Sequence, residues 1–401
     1  MAILLCIVLF FELLYCFLVF TEIPAIKNLR MNFIATALKT MSHRWLAEYF
    51  FPEYMVNEVQ TGLNMMDLYS DGVNSQRPAV TNPSESTDSA DSPTDPTEST
   101  KPLTPDEQEE AFYELFWELN RSSFEAYLDK HPETLSNGWD NIYINEAGIN
   151  DDGTEIYTSM GEQVLAIDAV NEIILIRVSG SGYQGVLAVG KDPSQLRCEV
   201  SKGIGSYGQP LEDLVEDNGG VLGMTGNGFY DPEGAGTGGI ISGYSMCKGE
   251  GYGSHFTLGG YKRIELTQDN KMYIIDSDAD VASDVTDAVE FSPALIIDGQ
   301  LMVGGFYEWS GINPRACIGQ SERDEILMLV IEGRMPGRSI GTDVQTCAEI
   351  LIRHDAYNAL NLDGGTSAVM WYDGEYVTKC SNANIESRWL PNAWVYGNYE
   401  E

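Results

Sequence analysis

The sequence predicts an α+β protein in which one sheet-dominated domain follows an N-terminal membrane helix and a disordered stalk. Three observations support this fold class: an apolar N-terminal run, a stretch of Ser, Thr, Pro and acidic residues, and many short apolar segments beyond residue 138. We divide the 401 residues into four parts. They are an anchor at 1–26, a juxtamembrane helical region at 27–80, a linker at 81–104 and the domain at 105–401, with its core at about 160–396.

The N-terminal run is long enough to cross a membrane. Residues 2–20 are almost entirely apolar, and the run continues to Ile26, whereas a spanning helix needs about 20 residues. Glu12 is the one acid of residues 2–20, and insertion scales put the cost of such a charge at about 2.5–3.5 kcal/mol, which the surrounding Leu, Ile and Phe offset. A cleavable signal peptide is the alternative, but no small-x-small site closes the run. We therefore predict an uncleaved anchor.

Two features give opposite indications of membrane topology. Lys27, Arg30, Lys39 and Arg44 follow the span, which by the positive-inside rule would place the rest of the chain in the cytoplasm. The stretch 81–104 cannot bury enough apolar surface to order itself and is typical of a stalk at a cell surface. We favour a single-pass membrane protein with an extracellular domain.

Residues 31–60 carry apolar residues at helical spacing, which predicts an amphipathic helix that lies on the membrane or continues the anchor.

The periodicity of the chain changes after the linker. Residues 105–132 have apolar residues at helical intervals and predict one or two helices. Short apolar or alternating runs separated by Gly, Asn and Asp then predict strands. These runs lie at 162–168, 172–178, 185–190, 219–226, 238–242, 262–267, 271–276, 293–299 and 325–333. Helical segments are predicted at 209–217 and 343–355, so the domain is mixed with sheet dominating.

Charge and cysteine usage exclude some classes of function. The net charge is −38, and no cluster of Lys and Arg offers a surface for nucleic acid, so we expect no nucleic-acid partner. The five cysteines outside the span are scattered singly with no C-x-x-C pair, which argues against a zinc site. Five is an odd number, so any disulfides would leave one thiol over. We expect no metal and no cofactor.

Two short motifs resemble ligand-binding motifs but lack other sequence features that those sites need. Gly203, Gly205 and Gly208 spell the dinucleotide fingerprint, but the segment before them is not the apolar first strand of a βαβ unit. The acids of residues 276–280 resemble the start of a calcium-binding loop, but Val281 stands where the sharp turn needs glycine. Neither motif is taken as a site.

Asp363 is the strongest candidate for a functional side chain. It follows the strand-like residues 359–362 and precedes Gly364 and Gly365, so a carboxylate lies at the end of a strand beside backbone that can approach a ligand closely. A tight turn in which the Asp accepts its own backbone N–H is the alternative. Arg315 and Arg388 stand out in an arginine-poor chain as candidate clamps for a phosphate or carboxylate.

Four motifs in a fixed order resemble those of the phosphodiester glycosidase family. They are N-G-F at 227–229, which matches the family's N-G-x-F element, N-P-R-x-x-I-G at 313–319, a strand ending in E-G-R at 332–334, and N-L-D-G-G-x-S at 361–367. The resemblance covers roughly residues 160–396. Departures from the family pattern are Cys317 before Ile, Thr366 where a third glycine usually stands, and Glu332 where Asp is frequent.

The resemblance implies hydrolysis of a sugar-1-phosphodiester, of N-acetylglucosamine type, at the glycosidic bond in surface or extracellular glycans. It implies that Asp363 or Glu332 is the nucleophile or the base for water, and that Arg315 with Arg388 binds the phosphate. Asn227 would hold a sugar hydroxyl. Further substrate-binding residues implied are Gly228, Arg334, Gly364, Gly365 and Ser367.

Two other classes of function remain open from the sequence. A non-catalytic carbohydrate-binding or exopolysaccharide-processing surface protein would keep aromatic residues such as Trp309 and Trp371 and tolerate the loss of Asp363. A structural surface protein would use the motif residues only to form turns. The joint presence of Arg315, Asp363 and Arg388 favours the enzyme.

Overall fold

The computed structural model describes residues 2–40, 43–78, 103–257, 259–304 and 309–399. Within these ranges the chain forms eight α-helices and three antiparallel sheets, which confirms the predicted mixed fold dominated by one sheet-rich domain. The predicted linker at 81–104 lies outside the described residues except for its last two.

Six of the helices precede the first strand, and two lie between strands. The first helix of the chain, which has the length and apolar character to cross a membrane, is almost fully exposed. Thr104 and Glu107 form a capping box at the start of the fifth helix, as Thr followed by Glu three residues later favours. The helices are α1 (Ala2–Phe20), α2 (Pro24–Leu38), α3 (Arg44–Phe50), α4 (Glu53–Leu68), α5 (Pro105–Leu115), α6 (Arg121–Lys130), α7 (Leu211–Glu216) and α8 (Val344–Arg353).

The strands are short, and the connections between them range from two-residue turns to long loops. Their bounds are β1 (Tyr143–Asn145), β2 (Gln163–Asp168), β3 (Ile173–Gly180), β4 (Tyr183–Gly190), β5 (Leu196–Val200), β6 (Leu222–Thr225), β7 (Tyr244–Cys247), β8 (Glu250–Gly253), β9 (Lys262–Thr267), β10 (Met272–Asp276), β11 (Val285–Phe291), β12 (Ala294–Ile297), β13 (Gln300–Leu301), β14 (Arg315–Ser321), β15 (Ile326–Ile331), β16 (Ala356–Asn361), β17 (Met370–Tyr372), β18 (Glu375–Tyr376) and β19 (Asn392–Tyr396).

The strands pair into one large and two small sheets. The central sheet has nine strands in the order β1-β2-β3-β4-β15-β14-β16-β12-β13. A five-stranded sheet has the order β10-β9-β11-β7-β8, and the other has the order β18-β17-β6-β19-β5. We call these the β9 sheet and the β19 sheet.

Both faces of the central sheet are covered. In β15, Leu327 and Leu329 belong to a core shared with the helices, while Met328 and Val330 belong to a core shared with the two smaller sheets. Alternate side chains of a strand point to opposite faces, so helices pack on one face and the small sheets on the other. This explains why β15 reads as a continuous apolar run rather than an alternating one.

Most of the predicted strands are present, and one is wrong. Residues 238–242 form only an isolated bridge, between Phe229 and Ile241. A Cβ on Gly239 would lie 2.2 Å from the backbone nitrogen of Tyr207, so this segment packs directly against a loop instead of joining a sheet. Apolar residues beside glycines predicted a strand here, but the glycines serve close backbone contact.

Residues 24–40 and 43–78, which we call the N-terminal arm, pack on the domain. Ile34, Val59 and Leu63 are buried in the same core as the helix-facing side of the central sheet. Further along, the Ser75 hydroxyl donates to Asn358 Oδ1 at 3.0 Å, and Arg77 pairs with Glu265. The segment predicted as juxtamembrane helices therefore shares a core with the domain.

We expect Leu63→Ala to lower the free energy of unfolding by about 2–5 kcal/mol, because the substitution leaves a cavity in a close-packed core. Leu63 is 1% exposed, and Leu68 in the same helix is 48% exposed. Leu68→Ala is therefore the matched control and should change stability by no more than about 0.5 kcal/mol. Thermal unfolding of the full chain in detergent measures both; equal midpoints for the two variants would show that the arm does not pack on the domain.

Candidate active site

A cavity of about 740 Å³ lies at one end of the central sheet. It forms there because β14 runs antiparallel to both of its neighbours, with Arg315 opposite Ile331 and Cys317 opposite Asn361. The residues that precede β14 therefore meet the residues that follow β15 and β16. The loops after β6 and before β19 form further parts of its wall.

The cavity brings together eight of the ten residues singled out from the sequence. They come from five separate segments of the chain, which only the folded topology makes adjacent. The eight are Gly228, Arg315, Arg334, Asp363, Gly364, Gly365, Ser367 and Arg388. Asn227 and Glu332 do not line it.

The turn that carries Asp363 is fixed by backbone hydrogen bonds to the start of β14. The N–H of Leu362 donates to the carbonyl of Ala316 at 2.8 Å, and the N–H of Gly365 donates to the carbonyl of Pro314 at 3.0 Å. A Cβ on Gly364 would lie 2.7 Å from that same Pro314 oxygen. Gly365 has φ of +60°, which favours glycine. Both glycines are thus required by geometry, and Thr366 is accommodated because its hydroxyl accepts from Ser381 at 3.2 Å.

Asp363 is the carboxylate of this cavity with the most perturbed proton affinity. Burial raises the pKa of Asp363 from 3.8 to about 6, and the negative charge of Asp231 acts in the same direction. The hydrogen bond with Ser367 and the positive charges of Arg388 and Arg334 lower this pKa. A carboxylate tuned toward neutral pH inside a cleft is typical of a group that transfers protons or attacks a substrate.

Arg334 is a guanidinium held in the cavity by neutral partners. Its Nη2 donates to Asn313 Oδ1 at 3.2 Å and to Thr40 Oγ1 at 3.3 Å, and no carboxylate of the described residues lies within ion-pair distance. A Cβ on Gly365 would lie 3.3 Å from the same Nη2, so the guanidinium reaches the Asp363 turn. Arg334 has φ of +61°, a conformation costing of order 1–3 kcal/mol that is frequent at functional sites.

Asn313, the first residue of the motif at 313–319, also lines the cavity. It is 5% exposed, and its Nδ2 has no hydrogen-bond partner among the described residues. A buried amide without a partner costs free energy, which a bound acceptor would recover. Asn313 and Arg334 both line the cavity, and together they supply N–H donors at its wall.

Arg315 lines the cavity but has other partners. Its Nε donates to the carbonyl of Thr342 at 3.1 Å, and its Nη2 donates to the carbonyls of Gly311 at 2.8 Å and Ser310 at 3.3 Å. Burial lowers the pKa of Arg315. These contacts join the loop before β14 to the segment before α8, which gives Arg315 a structural role as well.

Arg388 is paired with a carboxylate that the sequence analysis did not select. Its Nη2 lies 3.0 Å from Asp231 Oδ1 and its Nη1 bonds the other oxygen, while the guanidinium stacks 4.7 Å from the Phe229 ring centroid. The bonded arginine lowers the pKa of Asp231, and the aspartate raises the pKa of Arg388. The cavity thus contains two carboxylates with oppositely shifted pKa values.

The structure does not bring Glu332 to Asp363. Glu332 lines a separate pocket of about 300 Å³, where Arg338 binds both of its oxygens and the N–H of Lys379 donates to Oε1 at 2.7 Å. Its carboxylate is fully engaged there. The prediction that Glu332 acts as a catalytic carboxylate beside Asp363 does not fit this placement.

Asn227 has a structural position behind the cavity. Its Nδ2 donates to the carbonyls of Tyr244 and Glu290 at 3.1 and 3.3 Å, and its Oδ1 accepts from Asn392 Nδ2 at 2.9 Å. With these bonds made and the side chain fully buried, it holds no sugar hydroxyl in this conformation. Its neighbour Gly228 lines the cavity instead, and a Cβ there would lie 4.0 Å from Asp363 Cγ.

The N-terminal arm completes one wall. Lys39, Thr40 and Met66 line the same cavity as Asp363, and Lys39 pairs with Asp67 at 3.1 Å. No local pattern in residues 24–78 indicates that the arm lines the cavity, because the arm reaches the site only through tertiary packing.

In the described part of the chain, no group of three or more His, Cys, Asp or Glu side chains is arranged to hold a metal ion.

Comparison with known proteins confirms the resemblance found from the motifs. Residues 218–396 match the model of the phosphodiester glycosidase family. The N-acetylglucosamine-1-phosphodiester alpha-N-acetylglucosaminidase of Bos taurus is 30% identical over 78 residues, which is 20% of this chain and 14% of the bovine enzyme. The chain therefore matches only a small part of that relative.

Two solved structures are also similar. The first is the catalytic domain of the zebrafish N-acetylglucosamine-1-phosphodiester alpha-N-acetylglucosaminidase, auto-inhibited by its pro-peptide, with 14% identity and a TM-score of 0.45, covering 57% of this chain and 82% of that one. The second is a hypothetical protein from Synechocystis, with 14% identity and a TM-score of 0.40, covering 58% and 63%.

The two cavity carboxylates should affect stability with opposite signs. The folded state binds the proton of Asp363 more tightly than the unfolded chain, so its ionised form costs stability as pH rises from about 4 to about 6 and above. Asp363→Asn should therefore raise the melting temperature at pH 7.5 but not at pH 4. The pKa of Asp231 is lowered, so its ionised form stabilises the fold and Asp231→Asn should lower the melting temperature at pH 7.5. Shifts of the same sign at pH 7.5 would contradict this assignment.

Proposed function

We propose that this chain, whose residues 218–396 form a phosphodiester glycosidase-like domain, hydrolyses the glycosidic bond of a sugar-1-phosphodiester. The observation that carries the proposal is the pairing, within one cavity, of a carboxylate of raised pKa with a guanidinium that has no carboxylate partner among the described residues. The carboxylate can attack a sugar or activate water, and the guanidinium can bind an anion.

The roles follow from the leaving group. A phosphate monoester departs readily without a strong acid, so the enzyme has to stabilise a positively charged sugar and the departing anion. Asp363, ionised above pH about 6, is the group that attacks the anomeric carbon or accepts the proton of an attacking water. Asp231, kept ionised by Arg388, adds a negative charge that stabilises an oxocarbenium-like sugar.

Arg334 and Asn313 are the phosphate-binding residues in this proposal. Arginine offers a planar fork that matches two phosphate oxygens, and the Asn313 Nδ2 beside it supplies a further donor. The clamp predicted for Arg315 is assigned to Arg334 because the Nε and Nη2 of Arg315 already donate to backbone carbonyls.

A sugar ring has apolar surfaces to rest on. Phe229, Tyr261 and Phe291 line the cavity, and aromatic faces commonly pack against the C–H groups of a ligand. We favour an N-acetylglucosamine-type sugar, which rests on the motif resemblance and on the activity in the name of the bovine relative. The aglycone would belong to a surface or extracellular glycan.

We also place the domain at a membrane through α1. Arg30 donates from Nη1 to the carbonyls of Leu18 and Thr21 at 3.2 and 2.9 Å, and the Tyr15 hydroxyl donates to the carbonyl of Phe50 at 2.7 Å. These contacts connect the end of α1 to α2 and α3, which favours a retained anchor over a cleaved signal. The arm that follows α1 carries several large exposed aromatic residues. They are Phe33, Trp45, Tyr49, Phe50 and Tyr54.

Aromatic side chains concentrate at membrane–water interfaces, where an apolar body and a polar tip are both accommodated. The exposed rings of the arm therefore fit a position at the headgroup level beside α1. Because Thr40 of the same arm lines the cavity, the proposed catalytic site would lie close to the membrane surface.

Replacing Arg334 by Lys keeps a positive charge but loses the bidentate geometry. We expect kcat/KM on a sugar-1-phosphodiester to fall by at least about tenfold, equivalent to roughly 1.4 kcal/mol. An aryl glycoside of the same sugar has no phosphate and should be affected much less. Steady-state kinetics of both substrates on the full chain measure the difference.

Arg338→Lys is the matched control, since Arg338 pairs with Glu332 in the separate pocket. It should leave the ratio of the two activities unchanged. Asp363→Asn gives the baseline, because hydrolysis of both substrates should be lost. Full activity of Asp363→Asn would refute the proposed chemistry, and equal losses on both substrates in Arg334→Lys would assign Arg334 to the sugar or to the fold.

Trp45 should contact lipid when the full chain is reconstituted into vesicles. Brominated lipids quench the fluorescence of a tryptophan that touches them, so we expect Trp45→Phe to remove most of the lipid-dependent quenching. Trp389 is similarly exposed, at 53% against 48% for Trp45, and Trp389→Phe should leave the quenching largely unchanged. Absence of lipid-dependent quenching in the natural chain would place the arm away from the membrane surface.

A further inference from the structure

Two buried cysteines meet between the two smaller sheets. Cys198 lies on β5 of the β19 sheet and Cys247 at the end of β7 of the β9 sheet, and their Sγ atoms are 2.7 Å apart. This separation is intermediate between a disulfide bond of about 2.05 Å and an ordinary contact of unbonded sulfurs. Neither residue is more than 4% exposed.

One carboxylate holds the two backbones in place. Asp287 Oδ1 accepts from the N–H of Cys198 at 3.0 Å and from the N–H of Lys248, the residue after Cys247, at 2.9 Å. The closeness of the two sulfurs therefore follows from backbone placement as well as from side-chain rotation. A disulfide needs such backbone proximity, because it tolerates only a narrow range of Cα separations.

We propose that Cys198 and Cys247 form a disulfide bond in the mature protein. In the reaction, the thiolate of one cysteine attacks an external disulfide oxidant and forms a mixed disulfide, releasing one thiol. The second cysteine displaces the remaining oxidant thiol. The two cysteines lose two electrons and two protons, and the oxidant is reduced to two thiols. Because the folded protein buries both sulfurs, the exchange takes place during folding.

The bond would close a loop that carries part of the proposed active site. The segment between the two cysteines includes Gly228, Phe229 and Asp231, all of which line the cavity. Next to the sulfurs, Asn392 Nδ2 donates to Ser245 Oγ at 2.8 Å and to Asn227 Oδ1 at 2.9 Å. Joining the ends of this segment reduces the freedom of the unfolded chain and fixes one cavity wall to both small sheets.

A disulfide here has a consequence for location. Such bonds persist in oxidising compartments and are rare where thiols are kept reduced. The charges after α1 favour a cytoplasmic domain, whereas the composition of residues 81–104 favours an external one. A structural disulfide would support the external placement. The bond itself does not depend on the proposed hydrolase activity.

The test is a disulfide map of the full chain. The protein is reduced, refolded in detergent with an excess of oxidised over reduced glutathione, alkylated under denaturing conditions without reduction, and digested for mass spectrometry. We expect a cross-linked peptide pair containing Cys198 and Cys247, with a mass two hydrogens below that of the separate peptides. Alkylation of both cysteines in the oxidised sample would overturn the proposal.

Thermal unfolding provides an independent readout. Reductant should lower the melting temperature of the oxidised natural chain but not that of Cys198→Ser. Cys380→Ser is the matched control, since Cys380 is also buried but donates to the carbonyl of Thr366 at 3.5 Å, and it should keep the response to reductant. An unchanged melting temperature in the reduced natural chain would count against the bond. Neither measurement uses a substrate. Both therefore test the disulfide even if the proposed hydrolysis proves wrong.

Discussion

The antiparallel pairing of β14 with both β15 and β16 is the constraint on which the candidate site depends. It places the start of one central strand beside the ends of its two neighbours, with Cys317 opposite Asn361. The hydrogen bonds from Leu362 and Gly365 to the carbonyls of Ala316 and Pro314 extend this pairing beyond the strand into the turn. The turn that carries Asp363 is thus held by main-chain hydrogen bonds rather than by the other side chains of the cavity.

The two arginine positions show what the sequence could and could not predict. An Asp followed by two glycines after an apolar run marks a carboxylate at a strand end, and this local signal placed Asp363 correctly in the cavity. The partners of an arginine carry no local signal. The hydroxyl that accepts from Arg334 belongs to Thr40, 294 residues away in the chain. The carbonyls that accept from Arg315 belong to a loop whose path only tertiary packing determines.

The same limit applies to the fold. Runs such as residues 325–333 predicted a strand because apolar content over a short length is a local property, and β15 occupies that segment. Two further features are not local properties: which face a strand buries, and which element packs against that face. Glu332 illustrates the point. It follows β15 and precedes Arg334 by two residues, yet the two side chains enter different pockets, because the backbone turns at Arg334 with φ of +61°. A strand's simple alternation would have placed them together.

Because the net charge of the chain is −38, the binding of an anionic substrate depends on the charges of the residues that line the cavity. At physiological ionic strength, charges farther than about 8 Å are largely screened, so a phosphodiester that reaches the cavity responds mainly to the residues lining it. Those described residues include four cations, Lys39, Arg315, Arg334 and Arg388, against the two carboxylates Asp231 and Asp363.

In the proposed function, Arg334 would couple substrate binding to the chemistry. In the free protein its positive charge lowers the pKa of Asp363 and so weakens the carboxylate as a base. A phosphate bound to Arg334 neutralises that charge and adds negative charge nearby, and both effects raise the proton affinity of Asp363. A carboxylate whose pKa begins at about 6 can gain basicity in this way and still be substantially ionised near neutral pH. The guanidinium that binds the leaving group would therefore also make Asp363 more basic once the substrate is in place.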